Sequence, residues 1–281
     1  MFRTETKSII SVSYKPIIKL QFRDSLQPPI PVSILDYIIE NTNHEVLAKL
    51  YKTCKYFFVK KLILFCHQLH VCKSSPQTFV KNSCVTPFLT LLKHPFIEKF
   101  CCQILIFHDS ENRNYLSASL SKICFCSLKC LQIGGQDLTM EEFLMVIDGG
   151  KLRQVNLENV QIFKCNGNIM FVEEIVELLP TVVALALRHN FAQMFTERTA
   201  QTLASLNRST KFESFELDQI PGDFAIFFLE KFIKNNMAPK ARIKIRLNPN
   251  ANLNLELRFF CNAVVYKWRP VYEAPQINFE E

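Results

Sequence analysis

The chain has little glycine. Six glycines in 281 residues leave almost no room for the Gly-rich loops that cradle phosphates, which sets nucleotide-binding sites of that kind aside. There is one tryptophan. No apolar run approaches the roughly 18 residues of a membrane span, the closest being Phe224 to Leu229, so no membrane partner is expected. The opening MFRTETKSII is too polar for a secretory leader. A disulfide framework also has poor support, because the eleven cysteines are odd in number and the chain is long. Reduced thiols in the cytoplasm or nucleus are the simpler expectation, many of them packing as small apolar side chains.

The charge excess is modest, 33 basic against 26 acidic residues. Apart from Lys49, Lys52, Lys55, Lys60 and Lys61 the basic residues are scattered, which speaks against a nucleic-acid partner. Hydrophobic residues make up 48% of the chain, as a folded core requires.

Clusters that carry chemistry are thin as well. Cys66, His67, His70 and Cys72 crowd one stretch, but no second ligand pair follows at a zinc-like spacing. On a strand, Cys66, His70 and Cys72 share one face, which suits packing as well as a site. A cysteine nucleophile needs a base and an orienting group. His108-Asp109 or His189-Asn190 could serve, yet no cysteine lies in a protease or transferase motif. Glu141-Glu142 and Glu173-Glu174 fall in the first turns of predicted helices, where they complement the helix dipole and read as solvated faces. No catalytic residue, metal or cofactor is expected, and the chain reads as a non-enzyme.

What is present is a repeat. Six triplets share the frame apolar-x-x-apolar-x-apolar: Cys101/Ile104/Ile106, Leu128/Leu131/Ile133, Leu152/Val155/Leu157, Val182/Leu185/Leu187, Phe212/Phe215/Leu217 and Arg242/Ile245/Leu247, with Arg242 the polar exception. Their middle members step by about 27, 24, 30, 30 and 30 residues, in the range of a strand-plus-helix leucine-rich repeat. Helix signals stand between them. Thr139 and Glu142 form a capping box before Phe143, Leu144 and Ile147; Ile169 to Leu179 is amphipathic and stops at Pro180; Thr196 is read as the cap of a helix carrying Ala200, Leu203, Ala204 and Leu206; Asp223 is read as the cap of Phe224 to Ile233. Strand, helix, strand, helix order makes consecutive strands parallel. The turn Asn of such repeats stands at Asn190 and Asn250 and is replaced at Gln136, Val160 and Ile220. The expected fold is α/β, a leucine-rich-repeat-like solenoid with a curved parallel sheet over residues 101–250.

In that frame the triplets point inward and the residues flanking them outward. The outward set is Gln103, Leu105 and Phe107, then Cys130, Gln132 and Gly134, then Gln154, Asn156 and Glu158, then Ala184, Ala186 and Arg188, then Ser214, Glu216 and Asp218, then Lys244, Arg246 and Asn248. From these, Gln132, Asn156, Arg188, Glu216, Asp218 and Arg246 are chosen as candidate target-binding residues, since an open strand face suits a protein partner.

The segments flanking the repeats differ. Residues 1–27 form a leader that is either an edge strand or disordered. Pro31 then opens an amphipathic stretch with Ile34, Leu35, Ile38 and Ile39, which stops at Glu40-Asn41-Thr42-Asn43. A second follows with Asn43 as cap and Val46, Leu47, Leu50, Tyr51, Cys54, Phe57 and Phe58 at helical spacing. Residues 62–100 connect: Leu62 to Phe65 fits a strand or a helix end, and Thr86-Pro87 reads as the cap and first turn of a short helix. Over residues 251–281, Leu253, Leu255 and Leu257 alternate, and β-prone Phe259-Phe260 and Val264-Val265-Tyr266 suggest a terminal strand or hairpin, then a loose tail from Pro270.

The run Pro31 to Ile39 and then Val46 to Phe58, closing on Cys54-Lys55-Tyr56-Phe57, resembles an F-box and is similar to the divergent F-box-like proteins of nematode type. It departs from the pattern in opening on Ile30-Pro31 rather than Leu-Pro and in closing on Phe57 where many members have Trp. The resemblance covers residues 28–61 and implies a helical hairpin docking a Skp-type adaptor, and through it a cullin, by way of Pro31, Ile34, Leu35, Ile38, Leu47, Leu50, Cys54 and Phe57. It implies a substrate-receptor subunit of a ubiquitin ligase whose solenoid binds a still unknown target protein. The residues alone leave a second reading open, in which the same hairpin only caps the solenoid of a non-ligase scaffold.

Overall fold

The computed structural model describes residues 30–41, 46, 49–50, 63–73, 77–80, 83–94, 97–109, 111–125, 128–188, 192–221, 224, 226–248 and 262–280. The chain divides into two compact units, residues 1–42 with 46–61, and residues 43–45 with 62–281.

In the first unit, helix α1 spans Val32–Asn41. It begins where the proline signal places it, because the Pro31 carbonyl accepts hydrogen bonds from the Ile34 and Leu35 amides at 3.0 and 3.2 Å. It ends in the expected polar stretch. Residues 46, 49 and 50 are also helical. Leu47, Cys54 and Phe57, with the Asn43 cap, lie outside the described residues.

The second unit is built on a large open sheet. Its strands are β1 (Ile63–Cys72), β2 (Thr78–Val80), β3 (Ser83–Pro87), β4 (Lys99–His108), β6 (Cys130–Gly134), β8 (Gln154–Glu158), β10 (Ala184–Arg188), β11 (Phe212–Ile220), β12 (Met237–Leu247) and β13 (Gln276–Glu280), with β5 (Ile123–Cys124) beside β4. The order across the sheet is β13-β12-β11-β10-β8-β6-β4-β1-β3-β2. Every neighbouring pair is parallel except β2 with β3. A smaller parallel pair joins β7 (Asp137–Thr139) to β9 (Gln161–Phe163). Helices α2 (Phe88–Leu92), α3 (Tyr115–Ser119), α4 (Met140–Ile147), α5 (Val172–Glu177), α6 (Thr199–Ser205) and α7 (Ile226–Asn236) lie between strands in sequence, as parallel connections demand.

In-register pairing stacks like on like. Leu69, Leu105, Leu131, Val155, Leu185, Phe215 and Ile243 form one row, and Val71, Phe107, Ile133, Leu157, Leu187, Leu217 and Ile245 the next. All are buried, in one cluster with the helix residues Leu116, Phe143, Ile175, Leu203 and Phe232. Each such side chain contributes about 1.5–3 kcal/mol by leaving water.

These rows correct the first triplet. In β4 the inward residues are Leu105 and Phe107, with Cys102 buried ahead of them, while Ile104 and Ile106 are half-exposed on the other face. The expected outward placing of Leu105 and Phe107 is therefore wrong. β4 is apolar on both faces, so alternation cannot choose a side, and a one-residue slip inverts every side chain. In β12 Ile245 and Leu247 are buried as the triplet has them, Ile243 is buried with them, and Arg242 is exposed opposite Ser214. The register between β11 and β12 shifts between Phe212 and Ser214, just ahead of Arg242, and again between Leu217 and Ile220, where Gln219 has φ 58°.

Other expectations are met or amended locally. The Thr139–Glu142 capping box is present, with the Glu142 amide donating to Thr139 Oγ1 at 3.2 Å and the Thr139 amide to Glu142 Oε2 at 2.8 Å. Thr86 is a buried strand residue, and Pro87 is the cap of α2. Thr196 accepts from the Arg198 amide in a turn, and α6 starts three residues on at Thr199. Asp223 lies outside the described residues. Residues 262–267 are helical rather than extended. The proposed loose tail is strand β13, paired parallel along β12 with Ile277 in register with Ile243.

Polar staples join successive units. Gln136, fully buried, accepts from the Leu116 amide at 2.8 Å and donates to the Asp109 and Asn112 carbonyls at 2.7 and 3.0 Å. Arg208 donates to the carbonyls of Val176, Val182 and Thr210 and stands over the Phe212 ring at 3.8 Å. Its burial pulls the guanidinium down to about 10. Asn236, also buried, donates to the Leu206 and Phe232 carbonyls and accepts from the Arg208 amide.

Candidate functional site

The strand residues that alternate with the inward rows form a second face. Its members are Gln68, His70 and Cys72 on β1, Ile104, Ile106 and His108 on β4, Cys130, Gln132 and Gly134 on β6, and Gln154, Asn156 and Glu158 on β8. Ala184, Ala186 and Arg188 on β10, Ser214 and Glu216 on β11, and Arg242, Lys244 and Arg246 on β12 complete it. The buried apolar side chains of helices α2 to α7 gather instead with the inward rows.

Of the six residues singled out from the sequence in this region, Gln132, Asn156, Arg188, Glu216 and Arg246 lie on this face, and Asp218, at the register shift of β11, joins them through Arg246. Four carry an ion-pair network. Arg188 Nη2 donates to Glu216 Oε2 at 2.7 Å and Arg246 Nη1 to Asp218 Oδ2 at 2.6 Å. Arg246 Nη2 lies 3.3 Å and Lys244 Nζ 3.8 Å from Glu216 Oε1. Glu216 is 7% exposed and Asp218 8%, so both carboxylates are withdrawn from water on a face that is otherwise half-exposed. Burial raises the Asp218 carboxyl above its ordinary range, against the opposing pull of Arg246. The hydrogen bond to Glu216 raises the Arg188 guanidinium.

Between the amides of β6 and β8 and this network lies an open cleft of about 180 Å³. It is floored by Ala184 and Ala186 and lined by Gln132, Asn156, Arg188 and Glu216. The small side chains make the space. Among the lining residues Asn156 Oδ1, Arg188 Nε and Glu216 Oε1 are buried without a hydrogen-bond partner. Such groups typically cost about 1–3 kcal/mol each when left unpaired. Sequence reading put Ala184 and Ala186 on the outward face but not in the site; the signal was the alternation Ala184-Leu185-Ala186-Leu187.

Toward β1 the face carries His70 and His108, which that reading had treated only as a packed residue and a possible base. Gly134 makes room for His108: a Cβ there would fall 2.2 Å from His108 Nδ1. Burial lowers the His70 imidazole, aided by His108. Asp109 does not orient His108; it caps a turn, accepting from the Glu111 and Asn112 amides.

Burial pushes the Cys66 thiol up to about 12 and Cys84 to about 11, which leaves both protonated at neutral pH. Cys165 is exposed, but its contact with Glu141 at 2.9 Å also raises it. Among the described residues no group of three or more His, Cys, Asp or Glu side chains is placed to hold a metal ion, and no helix is long and apolar enough to cross a membrane. Glu173 is not a solvated face as expected: it is buried and accepts from Thr196 Oγ1.

In the first unit the candidate adaptor residues part company. Pro31 and Ile34 are exposed, Ile38 and Leu50 half-buried, and Leu35 buried. Compared with protein-family models, with curated proteins and with solved structures, the chain matches none.

Proposed function

We propose that this chain is a substrate-receptor subunit of a Skp/cullin/F-box type ubiquitin ligase. Residues 28–61 form an F-box-like hairpin that docks a Skp-type adaptor, and the sheet with its helices is a leucine-rich-repeat-like solenoid whose open face holds a target protein. The receptor is no enzyme. It acts in the cytoplasm or nucleus by raising the concentration of the target near the ligase. The observation that carries the reading is apolar surface left in water at the start of the hairpin: Ile30 is 42% and Ile34 49% exposed, while Leu35 beside them is 1%. A helix that has already buried one apolar side chain and still presents isoleucine on another side suits docking into a partner's groove. The polar sheet face with its cleft supports the target-binding half.

The rival is a protein-interaction scaffold in which the hairpin only caps the solenoid. Co-expression with a Skp-type adaptor separates the two. The receptor reading expects a complex that survives purification and that Ile34→Asp weakens at least tenfold without changing the melting temperature. A wild-type chain that leaves the adaptor unbound at micromolar concentration leaves the scaffold alone standing.

A further inference from the structure

We infer that the cleft over Ala184 and Ala186 takes an uncharged, amide-bearing stretch of an extended peptide segment in the target. The inference rests on the target-binding half of the reading above and not on the adaptor half.

The lining decides the chemistry. Its one cation and one anion, Arg188 and Glu216, already pair at 2.7 Å, so a charged group entering here has to compete with a formed ion pair. The remaining polar lining is neutral: Gln132, Gln154, Asn156 and Ser214. What the cleft lacks is hydrogen-bond partners of both kinds. Asn156 Oδ1 and Glu216 Oε1 need donors and Arg188 Nε needs an acceptor. Glu216, more than nine-tenths buried, holds Oε1 toward Arg246 and Lys244 only at ion-pair distances of 3.3 and 3.8 Å. An amide offers an N–H and a C=O together, which neither an ammonium nor a carboxylate does.

Size agrees. A volume of about 180 Å³ equals roughly six waters at liquid density, the bulk of one Asn or Gln side chain with its peptide group. Ala184 and Ala186 are the smallest side chains of the lining, and the room they leave suits the slim backbone of an extended chain better than a helix. Both unpaired atoms are buried in the empty cleft, so the inference requires Asn156 and Arg188 to turn toward the bound amide.

The test is selection from a library of random twelve-residue peptides displayed on phage, panned on the full chain. Expected is enrichment of uncharged sequences containing Asn, Gln, Ser or Thr. Synthetic copies should bind Ala186→Trp, which fills the cleft from an exposed strand face, at least tenfold more weakly. Asn156→Leu, which keeps the bulk and removes the acceptor, should bind several-fold more weakly. Both variants should melt with the wild type and hold the adaptor as it does. No enrichment, enrichment of acidic or basic sequences, or equal binding by both variants would overturn the inference. Peptide selection without adaptor binding would remove the ligase reading and leave this one intact.

Discussion

The open face of the sheet differs between its two ends although the strands are built alike. Over β4 it presents Ile104, Ile106 and His108; over β10 to β12 it presents alanines, two carboxylates and the cations that surround them. The inward rows beneath do not change in kind: leucine, valine, isoleucine and phenylalanine from β1 to β12. Alternate positions of each strand therefore carry stability, and the positions between them are free to carry recognition. The period of two makes that separation possible.

The comparison breaks first if an inward residue proves dispensable. Phe215 packs against Phe212 and Phe232 at ring distances of 5.0 Å, and Phe215→Ala should destabilise the second unit by about 3–5 kcal/mol in denaturant unfolding. A loss below about 1 kcal/mol would mean that the rows are not the source of stability. One position along the same strand, Glu216→Gln keeps an acceptor for Arg188 but leaves three cations without their shared counter-charge. It should cost less, about 1–2 kcal/mol, with the loss shrinking in high salt. Salt-independent destabilisation would assign Glu216 to packing.

Proton linkage sharpens the same contrast more gently. Asp218 has a native pKa raised by burial, so the folded state holds its proton more tightly than the unfolded chain does. Its contribution to stability is present below the ordinary value of 3.8 and is lost as pH rises through the native value. Unfolding measured from pH 7 down to pH 4 should show the wild type gaining on Asp218→Asn; parallel curves would count against the burial. Smallest is Ile106→Ser at the apolar end of the face, where a half-exposed side chain lost should change stability by less than about 0.5 kcal/mol.

How far the sequence carried depends on which residues speak twice. Leu128, Leu152, Val182 and Phe212 each stand in a triplet whose flanking residues are polar or small, and all four strands fall where the spacing places them. Thr139 and Glu142 announce α4 because a capping box is local chemistry. Where both faces of a strand are apolar, as in Phe100 to Phe107, no local signal distinguishes in from out. Strand β1 was equally ambiguous. Its triplet Cys66/Leu69/Val71 obeys the frame, but the apolar run Leu62 to Phe65 ahead of it fits a strand or a helix end equally. The five residues on the face were legible from alternation, whereas the cleft depends on what the alanines do not fill. Gln136 reads as a lost turn Asn; one methylene longer, its amide still bridges two turns.

Arg208 has a consequence for motion. Its guanidinium collects carbonyls from the end of α5, from the approach to β10 and from the approach to β11, and Asn236 ties its own amide to the end of α7. Opening any one of these segments alone would leave a half-buried cation short of its acceptors. The stretch from α5 to α7 should therefore exchange its amide hydrogens as one cooperative block rather than peel away repeat by repeat.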